Sequence, residues 1–161
     1  RKQNVSVRIK LSGLEVDITA GKRQESYQNY HSIYKSKTDT WTQTNVIQHN
    51  NDISQSGRTS EIKLVKIWRE LHQLDFPSIY IEYLLKTEIL SGRSKNPQDL
   101  EGNFLHVLKE LAKDINNPLE KSILDPSNSN NVLSDLLTSQ EKQKIIRQAK
   151  MSVSKQYWKD I

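Results

Sequence analysis

The chain has no cysteine, so disulfides and thiolate metal sites are excluded, and the missing thiols fit a cytoplasmic setting, the localisation expected here. Glycine is scarce, at five in 161 residues. None of the five lies in a Walker loop, and no serine stands in a Gly-x-Ser-x-Gly elbow, so neither of those nucleotide- or ester-handling devices is present. Hydrophobic residues reach only 34%, which predicts a modest core and generous polar surface. No run approaches the roughly 18 apolar residues that span a bilayer, so no membrane partner is expected. The four histidines show no metal-ligand spacing, and His49 with Asp52 reads as loop polarity. Internal repeats and low-complexity tracts are absent as well.

What is present begins with "NVSVRIKLSGLEVDIT". Two alternating apolar runs flank Ser12-Gly13, the pattern of a β-hairpin closed by a two-residue turn. That turn pairs Leu11 with Leu14, Ile9 with Val16 and Val7 with Ile18, and predicts that all six share one buried face. The opposite face pairs Lys10 with Glu15 and Arg8 with Asp17. Asp17 is therefore either half of a cross-strand ion pair or a carboxylate presented by a rigid strand beside a cleft. From Thr19 to Glu61 the chain is polar. Within it, "HSIYKSK" and "TWTQTNV" predict a second hairpin, and "QHNNDISQSGRTS" reads as a loop.

Beyond Arg58 the apolar period becomes helical. Leu64, Val65, Ile67, Trp68, Leu71 and Leu74 form one side of a helix, with Lys66 nearly opposite. Asp75-Phe76-Pro77 opens a second helix, "SIYIEYLLKTEIL", apolar almost all round and so expected to be buried. A third turns Leu100, Phe104, Leu108, Leu111 and Ile115 inward. "DPSNSNN" is a turn-rich loop, Val132–Leu137 suggests a short helix, and Thr138 with Glu141 fits a capping box opening a last long helix. Strands followed by helices give an α+β class. The expected division is a sheet remnant over Arg1–Gln55 and a helical lobe over Ser56–Ile161.

Four segments in this order, "VDITAGKR", "WTQTNVIQHN", "IKLVKIWRELHQLDFPSIYIEYLL" and "ILDPSNSNNVLSDL", resemble the C-terminal half of the polymerase-β-like nucleotidyltransferases. Within them the resemblance points to the branch of oligoadenylate synthetase, cyclic GMP-AMP synthase and the bacterial cyclic-oligonucleotide synthases (CD-NTases). It runs from about Val5 to Ala149. It implies a mixed nucleotidyltransferase sheet joined to a helical bundle that binds substrate. It also implies transfer of a nucleotidyl group from a nucleoside triphosphate to a hydroxyl acceptor, which can be a nucleotide or nucleic acid. Such transfer runs on two Mg2+ (or Mn2+) ions held by three carboxylates. Asp17 matches the carboxylate that stands alone on its strand. Lys66 matches the lysine that reaches the triphosphate, and Ser78 the serine that hydrogen-bonds the phosphates from the start of the next helix. Without the resemblance, Lys66 reads as a solvated lysine, Ser78 as a helix cap, and Glu82 with Lys86 as a structural (i, i+4) pair.

The pattern is incomplete in one respect. No Gly-Ser turn followed by Asp-x-Asp or Asp-x-Glu occurs anywhere in the sequence. Two of the three metal-binding carboxylates are thus missing, and the chain alone is expected to be inactive. It reads as a fragment whose catalytic segment lies before Arg1, or else as an inactive relative. A rival reading, based on the net charge of +5 and on Lys142, Lys144, Arg147, Lys150 and Lys155 in the last helix, is a non-catalytic module that binds nucleic acid or nucleotide.

Overall fold

A computed structural model of the chain describes residues 7–25, 29–35 and 39–155, apart from the side chains of Arg8, Glu15 and Asp17. The fold is α+β, with five α-helices and short antiparallel ladders among the described residues. It divides into two compact units, Arg1–Asn51 with Pro126–Asn131, and Asp52–Asp125 with Val132–Ile161.

The first unit opens with β1 (Val7–Leu11) and β2 (Leu14–Ile18). Ser12 and Gly13 both adopt positive φ, 47° and 88°, as a two-residue turn matched to strand twist requires. The ladder pairs Leu11 with Leu14, Ile9 with Val16 and Val7 with Ile18, the register expected from the sequence. Val5 lies outside the described residues. Burial of the apolar face is the part that fails. Val7, Leu11, Leu14, Val16 and Ile18 are exposed, Leu14 at 71%. A two-stranded ribbon can bury a face only against a second layer, and no described residue covers this one.

The second ladder has three strands, β3 (Gly21–Arg23), β4 (His31–Lys35) and β5 (Thr40–Thr44), in that order. The hairpin of β4 and β5 was legible in the sequence. The edge strand β3 was not, because three exposed residues carry no alternation. On one face Tyr34 packs on Trp41 with ring centroids 5.5 Å apart, and the next residue of β4, Lys35, donates to Asn131 Oδ1 at 2.6 Å from the opposite face. Helix α1 (Val46–Ser54) replaces the expected loop and carries the chain out of the unit. Its start is set by Asn45, whose Oδ1 accepts from the Gln48 amide at 3.0 Å.

The second unit holds the core. Helix α2 (Thr59–Leu71) buries Ile62, Val65 and Trp68, and α3 (Ser78–Leu84) buries Tyr80, Ile81, Tyr83 and Leu84. The chain then widens into a π-turn over Leu85–Ile89, with Leu90 N bonding Leu85 O at 2.9 Å. The sequence calls for this turn. Leu84-Leu85 and Ile89-Leu90 are two buried pairs five residues apart. In an α-helix those pairs would point about 140° apart, whereas an i→i+5 turn brings them to one side. Next come a 3-10 turn over Pro97–Asp99, α4 (Leu100–Leu111) and a 3-10 turn over Pro118–Glu120. The strands β6 (Leu124–Asp125) and β7 (Asn128–Val132) come after these, with a 3-10 turn over Leu133–Leu136 where a short helix was expected. Helix α5 (Ser139–Val153) starts at the capping box of Thr138 and Glu141 read from the sequence.

Trp68 Nε1 donates to Ser152 Oγ at 2.9 Å, tying α2 to α5. A buried polar cluster fixes the other end of α2. The Arg58 guanidinium pairs with Glu61 at 3.1 Å and donates to the carbonyls of Leu90, Arg93 and Ser94. Asn103 on α4 donates to both Glu61 and Ser94 O. Two helical faces depart from the pattern: Ile67 (55%) and Leu71 (68%) on α2 are exposed, as is Ile115 after α4. No described helix is long and apolar enough to cross a membrane.

Candidate functional site

The outward side of α2 faces the start of α3 across a short seam. Lys66 and Arg69 lie one turn apart on α2, and Ser78 and Glu82 one turn apart on α3. The two pairs bond crosswise. Lys66 Nζ lies 2.5 Å from Glu82 Oε1. Arg69 Nη1 donates to Ser78 Oγ and to Phe76 O, each at 2.9 Å, while Nη2 reaches Glu70 Oε1 at 2.6 Å. The core stripe of Ile62, Val65 and Trp68 places Lys66 on the outer flank of α2. The Asp75-Phe76-Pro77 break then returns the chain so that α3 begins beside it.

These contacts decide what the seam can do. Ser78 is the first residue of its helix, with Pro77 at the cap position and no side-chain capping bond. Its oxygen accepts from Arg69, which leaves its own O–H to donate outward. The exposed serine at this position is thus biased towards acceptors such as phosphate oxygens. Lys66 spends one of three N–H donors on Glu82 and keeps two. The pair expected between Glu82 and Lys86 does not form. Glu82 belongs to Lys66, and Lys86 Nζ sits over the Tyr83 ring, 5.6 Å from its centroid. Beside Lys66 opens a shallow depression of about 380 Å³ lined by Lys66, Ile67, Glu70 and Leu71. The two apolar side chains exposed on α2 are its floor. The depression offers an apolar shelf flanked by one cation, Lys66, and one carboxylate, Glu70.

Asp17 lies in β2 opposite Arg8. That is the register of the cross-strand pair, and its side chain lies outside the described residues. Among the described residues no group of three or more histidines and carboxylates could hold a metal ion. A second depression, of about 200 Å³, is lined by His106, Glu88, Glu110 and Lys121 among others. Its charges are already matched, Glu88 by Lys121 at 2.5 Å and Glu110 by Lys113 at 2.6 Å. Burial first, then the Arg93 guanidinium, holds the His106 imidazole below its ordinary value, while Glu110 and a backbone hydrogen bond at Ile89 pull the other way. Tyr83 is pushed upward by burial and by its hydrogen bond to Asp52, 3.0 Å away, so it stays a neutral donor. On α5, Lys150 is paired with Asp114 and Lys142 lies 3.8 Å from Glu120, which removes two cations from the basic face that the sequence suggested.

Sequence reasoning gave Arg69 no role in the seam and paired Glu82 with Lys86 instead of Lys66. Arg69 stands at i+3 from Lys66, and that spacing was a signal available without coordinates. Glu82 is 16 residues from Lys66 and could not be paired with it by periodicity.

No protein-family model and no curated protein matches the chain. Among solved structures, it is similar to the E. coli MS115-1 CdnC:HORMA-deltaN complex, with a TM-score of 0.63 and 20% identity. The match covers 94% of this chain and 55% of the other, so the chain spans about half the length of the structure that it matches. This likeness is one of fold alone.

Proposed function

We propose that the chain is the nucleotide-binding, C-terminal half of a nucleotidyltransferase of the CD-NTase kind. The intact protein takes a nucleoside triphosphate, transfers its nucleotidyl group to a hydroxyl acceptor and releases pyrophosphate, with a cyclic di- or oligonucleotide as the leading product. Lys66 holds the triphosphate by charge, and Ser78, oriented by Arg69, donates a hydrogen bond to a phosphate oxygen. The observation that carries this reading is the crosswise seam. Two residues 12 apart in sequence, which the family resemblance assigns to the triphosphate, stand on the two helices of one seam, each in its own bonded pair, Lys66 with Glu82 and Ser78 with Arg69.

The described residues do not by themselves fit a two-metal centre. Asp17 is proposed as one carboxylate donor to Mg2+ or Mn2+, with the paired carboxylates supplied by polypeptide outside these 161 residues. The test is nucleotide binding and metal-dependent product formation by the full-length protein. Lys66→Ala should weaken triphosphate binding about tenfold or more with little change in melting temperature. Asp17→Asn should abolish product formation. Unchanged binding by Lys66→Ala would return that lysine to the solvated surface, and unchanged turnover by Asp17→Asn would leave the aspartate as an ion-pair partner.

The rival module that binds nucleic acid is favoured by one feature, the charge of residues 1–51, where eight lysines and arginines meet four carboxylates. It requires steeply salt-dependent affinity for RNA or DNA with no nucleotide turnover.

A further inference from the structure

The lysine assigned to the triphosphate already has an anion. Glu82 Oε1 lies 2.5 Å from Lys66 Nζ, and the two side chains are only 30% (Lys66) and 19% (Glu82) exposed. The pair is therefore sheltered on several sides without being dry. Glu82 sits on α3 one turn after Ser78. A phosphate that touches both Lys66 and the Ser78 hydroxyl arrives on the flank of α3 that carries this carboxylate.

Resting on the triphosphate reading of Lys66 and Ser78, we propose that Glu82 is an internal competitor of the phosphates, holding the Lys66 ammonium until a polyanion displaces it. A ligand oxygen can bind the ammonium fully only by taking it from the carboxylate, and it then remains near an uncompensated negative charge. A singly or doubly charged anion such as inorganic phosphate gains too little to make that exchange. A triphosphate gains more, because its several charges can hold Lys66 and Ser78 together. Glu82 therefore acts through Lys66 and is a positioning residue. Arg69 stays out of the exchange, since its Nη1 and Nη2 are already directed at Ser78, Phe76 O and Glu70. Removing the carboxylate while leaving Lys66 in place should tighten binding of tripolyphosphate at least roughly three- to tenfold, the effect of one unit charge about 4 Å away even under the screening of bulk water. Inorganic phosphate should tighten as well, and by no more than tripolyphosphate, because the repulsion that the carboxylate exerts grows with the charge of the ligand.

The experiment is calorimetric titration of the 161-residue chain with inorganic tripolyphosphate and, separately, inorganic phosphate, with EDTA present so that no metal contributes. Four proteins are compared: wild type, Glu82→Gln, Lys66→Ala and the double variant. The inference requires Glu82→Gln to bind tripolyphosphate more tightly and the gain to vanish in the Lys66→Ala background. An unchanged or weaker Glu82→Gln overturns it, and so does an equal gain with Lys66 absent, which would mark a general field effect. If Lys66→Ala binds less well while Glu82→Gln matches wild type, the competitor role falls and the triphosphate reading stands. If wild type and Lys66→Ala bind tripolyphosphate equally, or neither binds it, both fall. Should a melting curve show Glu82→Gln misfolded, Glu82→Ala removes the same charge and is read by the same criteria.

Discussion

Replacing Arg58 by alanine tests what holds the helix that bears Lys66. The guanidinium is 2% exposed, and it serves Glu61 and three carbonyls at the end of the π-turn segment. Glu61 is itself 4% exposed. Truncation strands a buried carboxylate with only the Asn103 amide left to compensate it. It also takes the guanidinium from the carbonyls of Leu90 and Arg93, leaving Leu90 O with the Arg93 amide at 3.2 Å. Removing one partner of a buried pair costs about 3–5 kcal/mol, a large share of the roughly 5–15 kcal/mol that holds an ordinary domain together. Urea unfolding followed by tryptophan fluorescence should show a lower midpoint with an unchanged slope, and melting should fall by roughly 6–20 °C. The double variant Arg58→Ala with Glu61→Gln separates the causes. It removes the stranded charge, so it should recover part of the loss rather than add to it. A single-variant loss below about 1 kcal/mol, or strict additivity in the double variant, would refute the argument that an uncompensated buried charge dominates.

Ser152→Ala removes the acceptor of the buried Trp68 indole, and should cost about 1–3 kcal/mol in urea unfolding with a shift in tryptophan emission. No shift and no loss would mean that the indole finds another acceptor. His106 gives a pH dependence. Its folded value lies below the ordinary 6.5, so the unfolded chain takes up a proton first as pH falls. Its contribution is intact above about pH 6.5, declines as pH drops below that, and levels off once the folded imidazole is protonated too. His106→Gln should flatten this part of the stability profile around and below about pH 6.5. An identical profile in the variant would remove His106 as its source.

Much of the local structure was legible because it depends on local chemistry. Ser12-Gly13 could turn only with positive φ, and alternation on either side set the register of β1 and β2. Thr138 and Glu141 announced α5 by a bond that spans three residues. What a face packs against is not local. The alternation of Val7, Leu11, Leu14, Val16 and Ile18 predicted a buried face, but alternation carries no information about whether a covering layer exists. Helix α1 was missed because "VIQHNNDIS" is mostly polar, and its only clear marker was the capping Asn45. At the candidate site, Lys66 and Ser78 could be named from the resemblance, whereas the Glu82 that neutralises Lys66 emerged only when two helices met.

The π-turn at Leu85–Ile89 has a consequence for how this lobe tolerates change in length. An i→i+5 turn is one residue longer than the α-helical turn it stands in for, so it holds a surplus residue without rotating the downstream chain. Shortening the segment by one, at Thr87 for instance, would leave the pairs Leu84-Leu85 and Ile89-Leu90 four residues apart, and ordinary winding would still keep them on one side. Leu90 would stay inside, and its carbonyl would stay within reach of Arg58. The same deletion in the middle of α2 or α4 has no such slack and would swing one half of the helix about 100° relative to the other. The lobe thus carries a built-in spare residue, and its helical phase should survive the loss of one amino acid at that point alone among its helical turns.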